Sequence, residues 1–182
     1  MRLLASVPVV AVACLALSAC GDENQVSVKV PSRAMAPTYK VGETLDVDQA
    51  AYKTARPKVG DVVVFRAPRG AETGRCGATR TGRRACAEPT PPSANLRFLM
   101  RVVAGPRDTI AFEGGRAVRD GKREKQKGVR VSDPNCASCN LTLAVTVPKR
   151  HFFMAGDNRS DSADSRDFGP VPRKSIVGKV LD

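Results

Sequence analysis

The densest chemistry in this sequence lies near its end, in residues 156–169, which read G-D-N-R-S-D-S-A-D-S-R-D-F-G. Four aspartates, two arginines and three serines fall within the stretch. Carboxylates, guanidinium groups and hydroxyls packed this closely can form several charge-assisted hydrogen bonds over a short distance. Composition alone describes a self-neutralising, solvated loop. The order of the residues is more specific than that. Two cysteine groups add a second kind of chemistry. Cys76 and Cys86 flank a basic segment containing Arg80, Arg83 and Arg84, and Cys136-Ala137-Ser138-Cys139 is a C-x-x-C. Such thiols can form disulfides, bind zinc or carry redox chemistry, and four cysteines allow three pairings. No strand–helix context of the thioredoxin kind surrounds the C-x-x-C. Outside the cytoplasm, oxidation to structural bridges competes with zinc. Local closure, Cys76 with Cys86 and Cys136 with Cys139, costs the least loop entropy. The lone His151 reads as a strand-end residue without a catalytic partner.

The elements that must position these groups are mostly strands. Val26, Val28 and Val30 alternate with polar residues, as do positions along 141–147, and both patterns have period two. Residues 42–47 and 59–65 read as a turn-bounded strand pair. Gly114-Gly115 and Asp120-Gly121 are hairpin signals within 109–131, and Lys122 to Lys127 reads as a solvated tip. The apolar run from His151 to Ala155 is a strand that feeds the polar stretch. With 182 residues the chain is long enough for one domain with a real core and short for two. Aromatics are only 4% of it, so aliphatic side chains carry the burial. The net charge of +12 suits an anionic partner. Aromatics do not interleave with the basic residues and no nucleic-acid motif is present, which points away from nucleic acid and towards a membrane or envelope surface.

Three segments carry a resemblance to a known family. Residues 31–38 read P-S-R-A-M-A-P-T, residues 98–109 read F-L-M-R-V-V-A-G-P-R-D-T, and residues 156–169 follow. In this order they resemble the signatures of type I signal peptidases, membrane-bound serine proteases that remove secretory leader peptides. The strand Val59-Gly60-Asp61-Val62-Val63-Val64-Phe65 and the closing 169–180 segment resemble the same family. The resemblance implies a site in which a serine attacks the scissile carbonyl and a buried lysine takes its proton. Ala34 stands at the nucleophile position and Met100 at the position of the base. Alanine cannot form an acyl-enzyme. Methionine has similar reach to lysine without its charge, and Arg101 stays protonated and cannot serve as a base. Ser32 keeps the position that helps hold the oxyanion. Ser162 matches the serine that bonds the lysine amine, and Asp164 and Arg166 match a pair that braces the site. Arg33 and Arg107 stand where the family has glycine.

Residues 1–20 read as a targeting segment: Arg2, an apolar stretch from Leu3 to Leu17, then Leu17-Ser18-Ala19-Cys20 in the form of a lipobox. The expected outcome is lipidation at Cys20 and a fold tethered to the outer face of the cytoplasmic membrane. The alternative is one uncleaved N-terminal transmembrane anchor, which the shortness of the apolar run and Pro8 disfavour. Residues 21–29 are a tether and first strand. Residues 30–182 form the signal-peptidase-like domain, with an insertion at about 66–95 rich in Pro, Gly and Arg.

The expected fold is mainly β, of antiparallel coiled sheets with little helix. The expected function is that of a non-catalytic relative that binds leader peptides or regulates their processing, with no metal or cofactor. Two alternatives stand beside it. An active endopeptidase would have to use Ser32 without a lysine at the matching base position. A structural envelope lipoprotein would leave the groove idle.

Overall fold

The computed structural model describes residues 23–181; Cys20 and the rest of the targeting segment lie outside them. Eleven strands form along the described chain: β1 (Gln25–Lys29), β2 (Thr44–Asp48), β3 (Val62–Pro68), β4 (Pro92–Ala104), β5 (Thr109–Glu113), β6 (Arg116–Arg119), β7 (Lys122–Arg123), β8 (Val145–Thr146), β9 (His151–Ala155), β10 (Val171–Pro172) and β11 (Ile176–Val180). Two single-turn helices join them, α1 (Ala51–Thr54) and α2 (Ser165–Phe168). The strands build a seven-stranded sheet ordered β1-β2-β11-β3-β4-β9-β10 and a four-stranded sheet ordered β7-β6-β5-β8. Every strand pairing is antiparallel. The fold is therefore mainly β with little helix, as the periodicity implies.

The run His151 to Ala155 lacks polar alternation because it is covered on both sides. Phe152 and Met154 pack into one core with Val47, Val63, Phe65 and Phe168. Phe153 and Ala155 enter a second core with Ile110, Phe112 and Val147. The end of β4 divides in the same way, with Val102 in the first core and Val103 in the second. β4 and β9 thus form the wall shared by two hydrophobic layers. At roughly 1.5–3 kcal/mol for each large apolar side chain buried, this wall is a main source of stability.

Both expected hairpins form. Gly114 and Gly115 have φ of 54° and 75°, and Asp120 and Gly121 have 50° and 71°. Two successive left-handed residues give the turn whose twist matches paired strands. Arg107, at a glycine position of the family pattern, has φ of 74°. The turn keeps the left-handed conformation, at a cost of about 1 kcal/mol or more for a residue with a Cβ. Arg33 lies in a 3-10 turn, Arg33–Met35, and meets no such strain.

Several local readings need correction. β2 and β3 are not neighbours, because β11 returns from the end of the chain and lies between them. The strand read from Val26 and Val28 does form, as the edge strand β1, with Val26 36% exposed. Regular pairing along 141–147 is confined to β8. The tip after β6 is not wholly solvated, since Glu124 pairs with the fully buried Arg159. The segment at 66–95 is the extended end of the β3–β4 hairpin, closed by Pro68 opposite Pro92. The loop beyond this pairing is closed by the Cys76–Cys86 disulfide. Ala71, Ala85 and Cys86 anchor this loop in buried positions, the Cys86 N–H donating to the Arg166 carbonyl at 2.9 Å, while residues 79–84 between the two cysteines are exposed.

Candidate functional site

A groove of about 630 Å³ opens where the three signature segments meet. Ser32 and Ala34 come from the 3-10 turn after β1, Leu96 to Met100 from β4, and Ser160 to Ala163 from the loop after β9. Glu72 reaches it from the β3–β4 tip, and Asp167 from α2. Ala34 and Met100, 66 positions apart in the chain, therefore line one cavity. Met100 is 3% exposed and packs in the first core. The register explains this placement, because Met100 lies opposite the fully buried Val63, one pair from the end of the β3–β4 ribbon away from its tip.

The Ser32 hydroxyl accepts weakly from the Ala34 N–H at 3.4 Å and caps the 3-10 turn. The Ala34 carbonyl accepts from the Asn158 N–H at 2.9 Å, and the Asn158 side chain donates to the Arg33 carbonyl at 3.3 Å. This contact brings the turn down onto residues 156–158. Gly156 makes the approach possible: a Cβ there would stand 2.5 Å from the Ala34 oxygen and 2.8 Å from the Ser162 Cβ. The Ser162 hydroxyl oxygen is sealed from solvent, in a residue that lines the groove, and like the Asn158 Oδ1 it has no hydrogen-bond partner among the described residues. A buried hydroxyl in that state costs on the order of 1–3 kcal/mol.

Beneath the groove lies a buried ionic brace. Asp164 and Arg166 are fully buried and form two side-chain bonds, both at 2.8 Å. Asp164 also accepts from the Gly156 N–H at 3.1 Å and caps α2, in a reciprocal capping box with Asp167. Arg166 donates further to the Arg159 carbonyl at 2.6 Å and the Ser138 carbonyl at 3.2 Å. Burial works against the Arg166 charge, but the Asp164 carboxylate more than offsets it and holds the guanidinium pKa above its ordinary value. Burial, and then the neighbouring Asp164, push the Asp167 carboxyl above the usual carboxylate range.

A second brace joins β4 to the loop after β9. Arg101 donates to Asp157 through two bonds, at 2.9 and 2.7 Å, and to the Gly60 carbonyl at 2.7 Å. The Thr38 hydroxyl donates to the same aspartate. Sequence reading singled out Ser32, Ser162, Asp164 and Arg166, and the structure brings all four to the groove or its floor. It did not anticipate Thr38, Asp157, Arg159 or Asp167. The sequence held a signal for the last three, because they sit inside the dense polar stretch. Thr38 had none beyond its place in the first signature. The Cys136–Cys139 disulfide lies beside the Asp164–Arg166 brace, with Cys139 buried against Arg166. Among the described residues neither lysine nor histidine lines the groove.

The family model "Signal peptidase, peptidase S26" matches residues 2–181. The chain belongs to the signal peptidase family. Signal peptidase I of Leptolyngbya laminosa is 29% identical over 152 residues, covering 84% of this chain and 64% of that protein. Probable signal peptidase I-1 of Synechocystis sp. is 31% identical over 157 residues, covering 84% of this chain and 67% of that one. Thylakoidal processing peptidase 1 of Arabidopsis thaliana is 30% identical over 157 residues, with 84% and 39% covered. The chain thus spans about two thirds of the first two relatives and much less of the third. A signal peptidase I structure from Enterococcus faecalis aligns with 70% of this chain and 98% of its own, at 23% identity and a TM-score of 0.46. As a signal-peptidase-family member the protein is related to peptidases by name. Its own groove presents hydroxyls, three carboxyls and one arginine over an apolar floor. Among the described residues no helix is long and apolar enough to cross a membrane.

Proposed function

We propose that this protein is a non-catalytic member of the signal peptidase family that binds leader peptides in the groove without cutting them. The observation that carries this reading is the pairing of losses in one cavity: Ala34 and Met100 line the same groove, at the positions where the family pattern has nucleophile and base. A hydroxyl needs an adjacent group able to take its proton, and neither half of that dyad is present. The unpartnered Ser162 hydroxyl supports the same reading. It is the group that the family pattern assigns to the lysine amine, and the Met100 thioether offers it no comparable donor. The walls, by contrast, retain their braces.

The groove remains suited to an extended peptide. β4 pairs with β9 only from Arg101 onward, so among the described residues no strand pairs with the edge opposite β3 from Pro92 to Met100. A peptide added there gains main-chain hydrogen bonds, while Ala34, Leu96, Phe98 and Ala163 leave room for small apolar side chains. Affinity on the order of micromolar is expected, since the peptide must be ordered on binding. We place the chain, through lipidated Cys20, on the outer face of the membrane, where leader peptides emerge.

The test uses the full chain with a secretory preprotein, scoring cleavage and retention separately. It is paired with titrations of an Ala-x-Ala leader peptide and of a variant with bulky residues at both alanines. Saturable binding of the first peptide alone, without cleavage, is the expected result. Cleavage would establish an active endopeptidase using another group. Equal binding of both peptides, or of neither, would favour a structural envelope role.

A further inference from the structure

Opposite in character to the groove is a face lined mainly by lysine and arginine. Two adjoining depressions, of about 540 and 360 Å³, share Lys149, Arg150 and Arg173. Arg56 and Arg107 complete the first, and Lys174 the second. Among the described residues no aspartate or glutamate lines either one. Arg56, Arg107, Lys149, Arg150 and Lys174 are exposed, and none of them forms an ion pair among the described residues. They come from four separate turns that the fold gathers together. The Arg107 N–H donates to the Val147 carbonyl, which sets that turn beside Lys149. Arg173 donates to the Tyr52 and Ala55 carbonyls at 2.6 and 2.8 Å, which holds the 52–56 segment against the patch.

That same segment meets the start of the described chain. The Gln49 N–H donates to the Asn24 carbonyl at 2.9 Å, and the Lys53 amine to the Asn24 side chain at 2.9 Å. The start of the described chain therefore lies against the segment that leads to Arg56. Like charges gathered without counter-charges repel one another, so the arrangement suits an external anionic surface.

We propose that this face docks on the anionic phospholipid headgroups of the membrane to which the chain is anchored, fixing the orientation of the domain. The proposal rests on the reading that residues 1–20 tether the chain, and it is independent of whether the groove binds peptides. Each lysine or arginine held near an anionic bilayer strengthens binding by roughly fivefold. The effect decays within a Debye length, about 10 Å at 0.1 M salt.

The experiment uses the full chain carrying Cys20→Ala, so that no acyl chain contributes. Flotation compares vesicles of phosphatidylcholine alone with vesicles of phosphatidylcholine mixed with phosphatidylglycerol. The parent should prefer the mixed vesicles by roughly tenfold or more at low salt, and the preference should fade as salt is raised. Arg56→Glu/Lys149→Glu/Lys174→Glu should abolish the preference. Lys122→Glu/Arg123→Glu/Lys125→Glu, an equal reversal of charge elsewhere, should keep most of it. Any apolar contribution from residues 1–20 is common to both vesicle types and cancels. No preference in the parent, or equal loss in both variants, would overturn the proposal. Heparin binding that is lost in the first variant, without a vesicle preference, would assign the face to a soluble polyanion instead. Leader-peptide titration of the same variants reads the groove separately and should be unchanged.

Discussion

Arg101 and Asp157 form a buried two-bond ion pair that joins β4, one residue beyond Met100, to the loop after β9. Asp157 is wholly buried and also accepts from Thr38. The three segments that form the groove are tied together at this carboxylate. Removing one partner of a buried pair leaves an uncompensated charge, which costs about 3–5 kcal/mol. Asp157→Ala should therefore lose that much in chemical denaturation. Arg101→Lys, which keeps the charge but not the forked geometry, should lose less. A loss below about 1 kcal/mol for Asp157→Ala, as for an exposed pair, would show that the brace does not hold the site together.

The Ser162 hydroxyl supplies a cycle of variants. Because it is buried and unpartnered, Ser162→Ala should be neutral or stabilising by up to about 1 kcal/mol. In a Met100→Lys background the same change should destabilise, because it removes an acceptor from a buried ammonium. Denaturation of the four chains in the cycle measures the coupling directly. Additive effects would separate Ser162 from position 100.

Restoring chemistry requires both lost groups. Ala34→Ser and Met100→Lys should each remain without leader-peptidase activity, since nucleophile and base act as a unit. The double variant should show weak cleavage, limited by Arg33 and Arg107 at family glycine positions. Cleavage by the unaltered protein above a mock-purified control would contradict the proposed function outright.

Asp167 gives a pH dependence whose sign is fixed by its raised pKa. Between the ordinary carboxylate value and the higher native one, the folded state binds more protons than the unfolded state. Its contribution to stability is fully present below the ordinary value and is lost as pH rises through the native one. Asp167→Asn removes this dependence while keeping an acceptor for the Asp164 N–H. Relative to the unaltered protein, the variant should gain stability as pH is raised from about 3 towards neutrality. A constant difference across that range would count against a raised Asp167 pKa.

Cys20 carries the proposed anchor. Fatty-acid labelling of cells should tag the unaltered protein and miss Cys20→Ala. Equal labelling of both, or of neither, would instead favour an uncleaved N-terminal helix.

Some of this protein was legible in the sequence because it is local. Two-residue periodicity marked strands, and Gly114-Gly115 and Asp120-Gly121 marked hairpins, because a turn's φ values depend on the residues within it. The absence of a hydroxyl at Ala34 and an amine at Met100 is likewise a property of single positions. The tertiary structure decided what those positions face. Apolar alternation states that a face is buried but not what buries it, so β11 could be placed between β2 and β3 only by the assembled sheet. Arg101 meets Asp157 across 56 positions, and Glu124 meets Arg159 across 35. Such pairs carry no local signal, because the low-dielectric setting that strengthens their attraction exists only in the packed fold. The same holds for the Ser162 hydroxyl, an ordinary serine in the sequence that the fold encloses without a partner beside Met100 in the groove.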